Sequence, residues 1–420
     1  MLKSDLRLAS PSQVLPVWSA SIRLAPIQNM THRNIFRRPE QSSVAFRYAH
    51  LALIACCCLF TGFRSCQAAE RLVTVQDAQS EYTGKIVALN RARCTLMDRQ
   101  GRLVELDVPQ LKGMKQVADR FRADSVSAFR SSLGAEFGKR YEVTGTTHYL
   151  VCAPRGRAKK YADLFETIYR DVDKFYRVRG FKVTRPDVPL VAVVFASRKE
   201  FSQYCVRDDV PPSPGLQGYY SLVSNRVALF DESGSLNAAA GQNSGRHANV
   251  LASAAVNGQT AGTIVHETIH QVGYNIGIHT RLGETPLWMV EGMATVLEPD
   301  AMRHRNSSRA VAGRLNSERY DWFRHKYMPS HSPGSLAQLI ASDKAFGRQT
   351  LNAYSVSWAL TYFLLENPAR RRQLTSYLQA ISSRDSTVSY PAKERLADFT
   401  SAFGDIARLE VNFIRFMQRL

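Results

Sequence analysis

The chain has 420 residues, 45% of them hydrophobic and 22% charged, with a formal net charge of +19. That is the composition of an ordinary globular protein, long enough for more than one domain. The basic balance invites a nucleic-acid reading. No helix-turn-helix, finger or aromatic RNA-binding pattern accompanies it, so the excess reads as a basic solvated surface and no specific nucleic-acid partner is expected.

Residues 1–69 read as a leader. They hold eight Lys or Arg against Asp5 and Glu40. A basic stretch ending at Arg47 precedes an apolar run at 51–60, and small residues gather at 66–69. This is the order of a secretory signal peptide. The expected location is therefore exported: periplasmic, cell-envelope or secreted. The run is short for a membrane span. Left uncleaved, it is the one membrane contact expected. Met30 is an alternative start, and residues 53–56 have a lipoprotein-like order but sit too early in the run. Four of the seven cysteines, Cys56, Cys57, Cys58 and Cys66, fall in this leader. Cys94, Cys152 and Cys205 allow one disulfide at most. No CxxC pair follows the leader, so cysteine is not the expected metal ligand.

Residues 70–140 are expected to form a small β-rich module. Alternation at 82–89 and 94–98 is followed by a turn at 98–102 and a further alternating run from Leu103. The stretch resembles the small SH3-like barrels attached to exported bacterial enzymes. Residues 141–420 are expected to form the main domain, opening with one strand over 141–152. Tyr161, Leu164, Phe165, Ile168, Val172, Phe175 and Tyr176 then fall at helical spacing, with Gly180 as the stop. Residues 188–195 are continuously apolar, the pattern of a strand buried on both faces. Segments 218–221 and 226–231 read as a hairpin. Residues 232–260 are rich in Gly, Ala, Ser and Asn and read as a loop or insertion. From Thr260 onward the pattern is helical, with breaks near Pro299, Pro329, Pro333 and Pro368. The chemistry is placed on helices over about 260–298, and residues 300–420 form a helical C-terminal part. The fold class expected is α+β.

Residues 266–270 read His-Glu-Thr-Ile-His. Residues four apart share a helix face, so the two imidazoles can hold one Zn²⁺ while Glu267 reaches a water on it. The bare motif arises by accident in about one chain in a hundred of this composition, so it needs support. On a helical wheel, Ile264, Val265, Thr268, Ile269 and Val272 make one side. Thr263, His266, Glu267, His270 and Tyr274 make the other.

Catalytic zinc takes three protein ligands and leaves a place for water. Residues 285–299 read as a second helix, with Thr285 at the N-cap, Pro286 at the first position and Met289, Val290, Met293, Val296 and Leu297 as its apolar face. Glu291 points away from that face, beside Trp288 and Thr295, and is the favoured third ligand. The rival is His279. It comes three residues too late for the elongated motif HExxHxxGxxH, whose last histidine position is Ile276.

His266-Glu-Thr-Ile-His-Gln, followed by Pro286-Leu-Trp-Met-Val-Glu-Gly-Met-Ala, is similar to the gluzincin pattern. More narrowly, it resembles the peptidase-MA-like family known as DUF1570. Segments 193–201, 218–221, 270–277 and 353–360 extend the likeness, which spans roughly residues 140–385. The resemblance implies a thermolysin-like peptidase fold with a mixed sheet, His266, His270 and Glu291 on Zn²⁺, and Glu267 as general base. It supplies no substrate. The Gly-x-Met-Glu-Asn signature of related aminopeptidases is absent, so an exopeptidase of that kind is not expected and an endopeptidase is. Gluzincins often carry a carboxylate four residues after the ligand Glu, to orient a zinc histidine. Here that position is Thr295, and Glu298 is the available substitute.

The activity expected is hydrolysis of peptide or protein substrates, with Glu267 moving the proton and Tyr354, or Tyr274 behind it, stabilising the oxyanion. The strand at 218–221 is a candidate edge for pairing with an extended peptide. Two other readings stand beside this one. The first is a non-catalytic envelope protein whose zinc is structural or absent. The second is a binder of anionic polymers through the arginines between Arg303 and Arg348.

Overall fold

The structure is a computed structural model and describes residues 71–232, 258–303 and 311–420. The leader, and residues 233–257 of the Gly- and Ala-rich stretch, lie outside the described residues. Among the described residues no helix is long and apolar enough to cross a membrane. Cys94, Cys152 and Cys205 are all buried and free, so the one disulfide allowed by their number does not form among them.

The molecule is a mixed α+β structure, β-rich at the front and helical toward the C-terminus. The front sheet is antiparallel, in the order β4-β3-β2-β1-β5. Its strands are β1 (Leu72–Gln76), β2 (Glu81–Leu89), β3 (Arg93–Asp98), β4 (Leu103–Asp107) and β5 (Gly113–Ala118). Val73, Val75, Cys94, Leu96 and Leu106 fill its small core. The expected turn at 98–102 joins β3 to β4. Asp98 Oδ1 accepts from the amides of Gln100 and Arg102, each at 2.8 Å, and Gly101 supplies the left-handed φ of 84°. Helix α1 (Val126–Phe137) follows, N-capped by Ser125; the sequence reading assigned it no element.

The second sheet has the order β6-β7-β8-β10-β9. Segment 141–152 is not one strand. It is the hairpin β6 (Tyr141–Gly145) and β7 (Tyr149–Pro154). Glu166, from the following helix α2 (Ala158–Val178), accepts from Thr146 Oγ1 at 2.7 Å and the His148 amide at 3.0 Å, which stabilises the turn between them. Strand β8 (Leu190–Phe195) runs parallel to β7 and to β10 (Arg226–Phe230), and β9 (Gly218–Tyr220) closes the edge antiparallel to β10.

Side chains alternate along a strand. In β8, Leu190, Ala192 and Val194 face one core, while Val191, Val193 and Phe195 face another. Both faces are covered, so the strand reads as continuously apolar. One cover is α1 with α3 (Arg198–Arg207), a helix the sequence reading also missed. The other is α2 with the C-terminal helices. These are α4 (Gly258–Asn275), α5 (Leu287–Leu297), α6 (Ser317–Trp322), α7 (Ser335–Ala341), α8 (Thr350–Glu366), α9 (Pro368–Ser382), α10 (Ala392–Phe403) and α11 (Ile406–Gln418). They share one large core with that face of the sheet.

Candidate metal centre

Helix α4 carries His266, Glu267 and His270 and lies across the edge of the second sheet. Gln271 fixes it there: its Nε2 donates to Val191 O at 3.0 Å and to Asn225 O at 2.8 Å. The Thr263 methyl comes so near β9 that a Cβ at Gly218 would stand 2.9 Å from it. The wheel places the apolar side of α4 correctly. The other side is not open, however. His266, Glu267, His270 and Tyr274 are buried as well, with α5 packed against α4.

Helix α5 is buried on every side from Trp288 to Leu297. Its start differs from expectation. Pro286 is the N-cap and Leu287 the first helical residue. A proline side chain cannot accept a hydrogen bond, and the Leu287 amide is instead satisfied by Asp343 Oδ1 at 2.9 Å. Trp288 does not flank the site, since its ring packs on Tyr377 and Phe399. Thr295 Oγ1 donates back to the Glu291 carbonyl at 2.7 Å. Beside Glu291, Gly292 admits α8 at backbone distance. A Cβ there would collide with Thr361 Oγ1 and lie 2.6 Å from Ser357 O.

That crossing directs Glu291 at α4. His266 Nε2 and His270 Nε2 are 3.0 Å apart, and Glu291 Oε2 lies 3.4 Å from the first and 3.5 Å from the second. These three side chains form a buried cluster able to hold a metal ion. A tetrahedral zinc with donors at 2.0–2.2 Å spaces them about 3.3–3.6 Å apart, close to the triangle observed. The carboxylate beside the other ring nitrogen suits this. His266 Nδ1 lies 2.7 Å from Glu298 Oε1. Donation there leaves a lone pair on Nε2, aimed at the other two donors. Thus Glu298, and not Thr295, is the residue of this helix end that contacts His266. Its second oxygen accepts from Asn316 Nδ2 at 2.6 Å, and Asn316 also donates to Thr295 O at 3.1 Å.

The cluster draws positive charge. Burial works to raise the Glu291 carboxyl, but the two histidines overcome it and hold the group at about 2. Burial likewise works to lower His266, and Glu291, Glu298 and Glu267 overcome it and push the imidazole well above its usual range. Both are marks of a pocket that favours a cation. Glu267 behaves differently. Burial raises its carboxyl against a smaller opposing effect of the Tyr220 main chain, and neither oxygen makes a hydrogen bond of good geometry. Glu291 Oε2 is also without one. The N, N, O donor set and these orphaned carboxylate oxygens fit a divalent metal with a polar ligand beside it.

His279, the rival ligand, stays outside the cluster. Its ring packs on Gly273, and burial together with His270 holds its pKa down at about 3. It floors, with Tyr274, a cleft of about 280 Å³ between the front sheet and the 277–282 loop; none of the three clustered residues lines that cleft. Tyr354, on α8, is buried near the cluster. Burial, then the charges of Glu291 and Glu267, push its hydroxyl well above the usual range. Tyr274 packs at a tilt against Tyr220 and His279, and of the two carboxylates at the cluster only Glu291 is among the charges that raise it. The sequence reading missed Asn316, Asp343 and Arg303, whose Nη1 donates at 2.6 Å to the carbonyls of Leu297 and Glu298 at the end of α5. Asn before Ser-Glu-Arg is a legible N-cap signal for α6. Its bond to Glu298 has no sequence signature.

No curated protein matches the chain. Residues 260–387, which carry nearly all of α4 and the whole of α5 to α9 but neither sheet, match the family described as Protein of unknown function (DUF1570).

Proposed function

We propose that the chain is a zinc-dependent peptidase of the gluzincin kind, hydrolysing peptide bonds in an exported compartment. The observation that carries this reading is the convergence of His266, His270 and Glu291 to within 3.5 Å of one another beside the unpartnered carboxylate of Glu267. Zinc bound there supplies a Lewis acid that acidifies a water and polarises the scissile carbonyl. His266, His270 and Glu291 hold the ion, and Glu298 with Asn316 orients His266. Glu267 takes the water's proton and returns it to the leaving amine. Burial suits it to the task, since a raised carboxyl pKa lies nearer the working pH of a base. Tyr354 keeps its proton at neutral pH and feels the charges of both carboxylates, which suits it to the oxyanion. Strand β9 is the sheet edge beside α4, which favours an extended peptide added to the sheet. The thermolysin-like fold, the SH3-like nature of the front sheet and the cleavage of the leader belong to the same proposal.

The test uses purified protein beginning at residue 71. Zinc content is measured by mass spectrometry in the parent, Glu291→Gln, His279→Ala and His266→Ala, and cleavage of an unfolded protein is followed in the parent and Glu267→Gln. The expected result is one zinc per chain, lost in His266→Ala and sharply reduced in Glu291→Gln, but retained in His279→Ala. Glu267→Gln keeps zinc and loses roughly three or more orders of magnitude in rate. Zinc lost from His279→Ala but kept by Glu291→Gln overturns the ligand set. Equal cleavage by the parent and Glu267→Gln overturns the mechanism.

A further inference from the structure

Helix α6 sends a second side chain toward the site besides Asn316. Arg319 lies one turn further on, and its guanidinium carbon stands 5.4 Å from the centre of the Tyr354 ring. The side chain is 12% exposed, and its Nε has no hydrogen-bond partner. Among the described residues its one carboxylate contact is the adjacent Glu318, at 3.3 Å and itself 52% exposed. So long a contact to a side chain mostly in water contributes little.

Other buried arginines of this chain are satisfied differently. Arg395 donates to Asp343, Glu284 and the Tyr390 carbonyl. Arg281 donates to three main-chain carbonyls, and Arg303, whose Nε is also without a partner, donates through its two Nη atoms to two carbonyls and Asp300. A guanidinium presents five N–H donors in a rigid fork matched to a carboxylate. Arg319 is thus a nearly buried cation with donors to spare, held against the tyrosine that borders the cluster. The cation–π contact fixes the fork in place without occupying its in-plane donors.

Resting on the peptidase reading above, we propose that Arg319 is a specificity-determining residue that binds a carboxylate of the substrate, so that peptides anionic near the scissile bond are preferred. An acidic side chain and a free C-terminus offer the same chemistry. The first makes an endopeptidase with an acidic preference, and the second a carboxypeptidase.

Three acetylated peptides of common sequence separate the possibilities: a neutral one ending in an amide, the same with one internal Gln changed to Glu, and the neutral sequence ending in a free acid. Binding is measured by calorimetry on zinc-loaded Glu267→Gln protein, alone and with Arg319→Gln or Arg319→Lys added. Cleavage is measured on the parent. One acidic peptide is expected to bind roughly ten- to a hundredfold tighter than the neutral one. Arg319→Gln closes that gap, and Arg319→Lys keeps part of it because the charge remains while the fork is lost. Zinc content reports that each variant is folded. No gap in the Glu267→Gln protein, or a gap that persists in Arg319→Gln, overturns the proposal while leaving the peptidase reading intact if the neutral peptide is cut. A zinc-loaded parent that neither binds nor cuts any of the three sinks both.

Discussion

At the scale of single residues, the hydrogen bond between His266 Nδ1 and Glu298 makes a sharp prediction. Partners behind a metal-bound histidine fix its tautomer and aim, and losing one costs metal affinity roughly 10–100-fold. Glu298→Ala is therefore expected to weaken zinc binding by about that factor in a chelator competition. Thr295→Ala, whose hydroxyl bonds only main-chain carbonyls of its own helix, is expected to change zinc affinity less than about threefold. The reverse ranking would remove Glu298 from the support of the site. The five residues His266 to His270 were legible because helix periodicity alone sets their geometry. Glu291 was legible because it is a carboxylate on the side of the next helix opposite its apolar face. Glu298 was available as a substitute from its position after Thr295. Asn316 was not, since its bond depends on where the chain returns after α5. Nor was the way Asp343 caps that helix, because a proline at the N-cap hands the role to a residue far along the chain.

At the scale of elements, the site depends on how closely two helices cross. Gly292 is the point of contact between α5 and α8, and one obstacle to a side chain there is the main-chain carbonyl of Ser357. Main chain cannot rotate away as a side chain can. Gly292→Ala is expected to push the helices apart, to cost roughly 1–3 kcal/mol or more, and to pull Glu291 off the two histidines. Thermal unfolding and zinc content should fall together. Thr361→Ala removes the hydroxyl but not the Ser357 carbonyl, so adding it should restore only part of the loss. Complete restoration would show that the crossing is limited by a side chain instead. The sequence reading found the buried strand β8 and the hairpin of β9 and β10 because their patterns are local. It missed α1 and α3, whose apolar residues are few and acquire meaning only against the second face of the sheet. It merged β6 with β7 because the turn between them contains no proline and is held by Glu166 from the following helix.

At the scale of the whole molecule, the front sheet is tied to the segment that joins the two ligand-bearing helices, and Arg281 is the tie. It lies between α4 and α5. Its guanidinium donates to Gly101 O at 2.9 Å in the turn of the front sheet, and to Leu222 O at 2.6 Å between β9 and β10. One side chain thus joins the front sheet, the edge hairpin and the link between His270 and Glu291. The sequence alone gives it no such role. Arg281→Ala leaves those part-buried carbonyls without that donor, a cost of up to roughly 1–3 kcal/mol each and less wherever water reaches them. The nearby Lys85–Asp187 pair is a control, since Asp187 is largely exposed and such pairs contribute under about 1 kcal/mol. In hydrogen exchange, Arg281→Ala is expected to speed the amides of 98–103 and 221–226 together and to weaken zinc retention, whereas Lys85→Ala does neither. Faster exchange confined to 98–103, with zinc held as before, would mean that the front sheet is docked on the domain without bracing its metal centre.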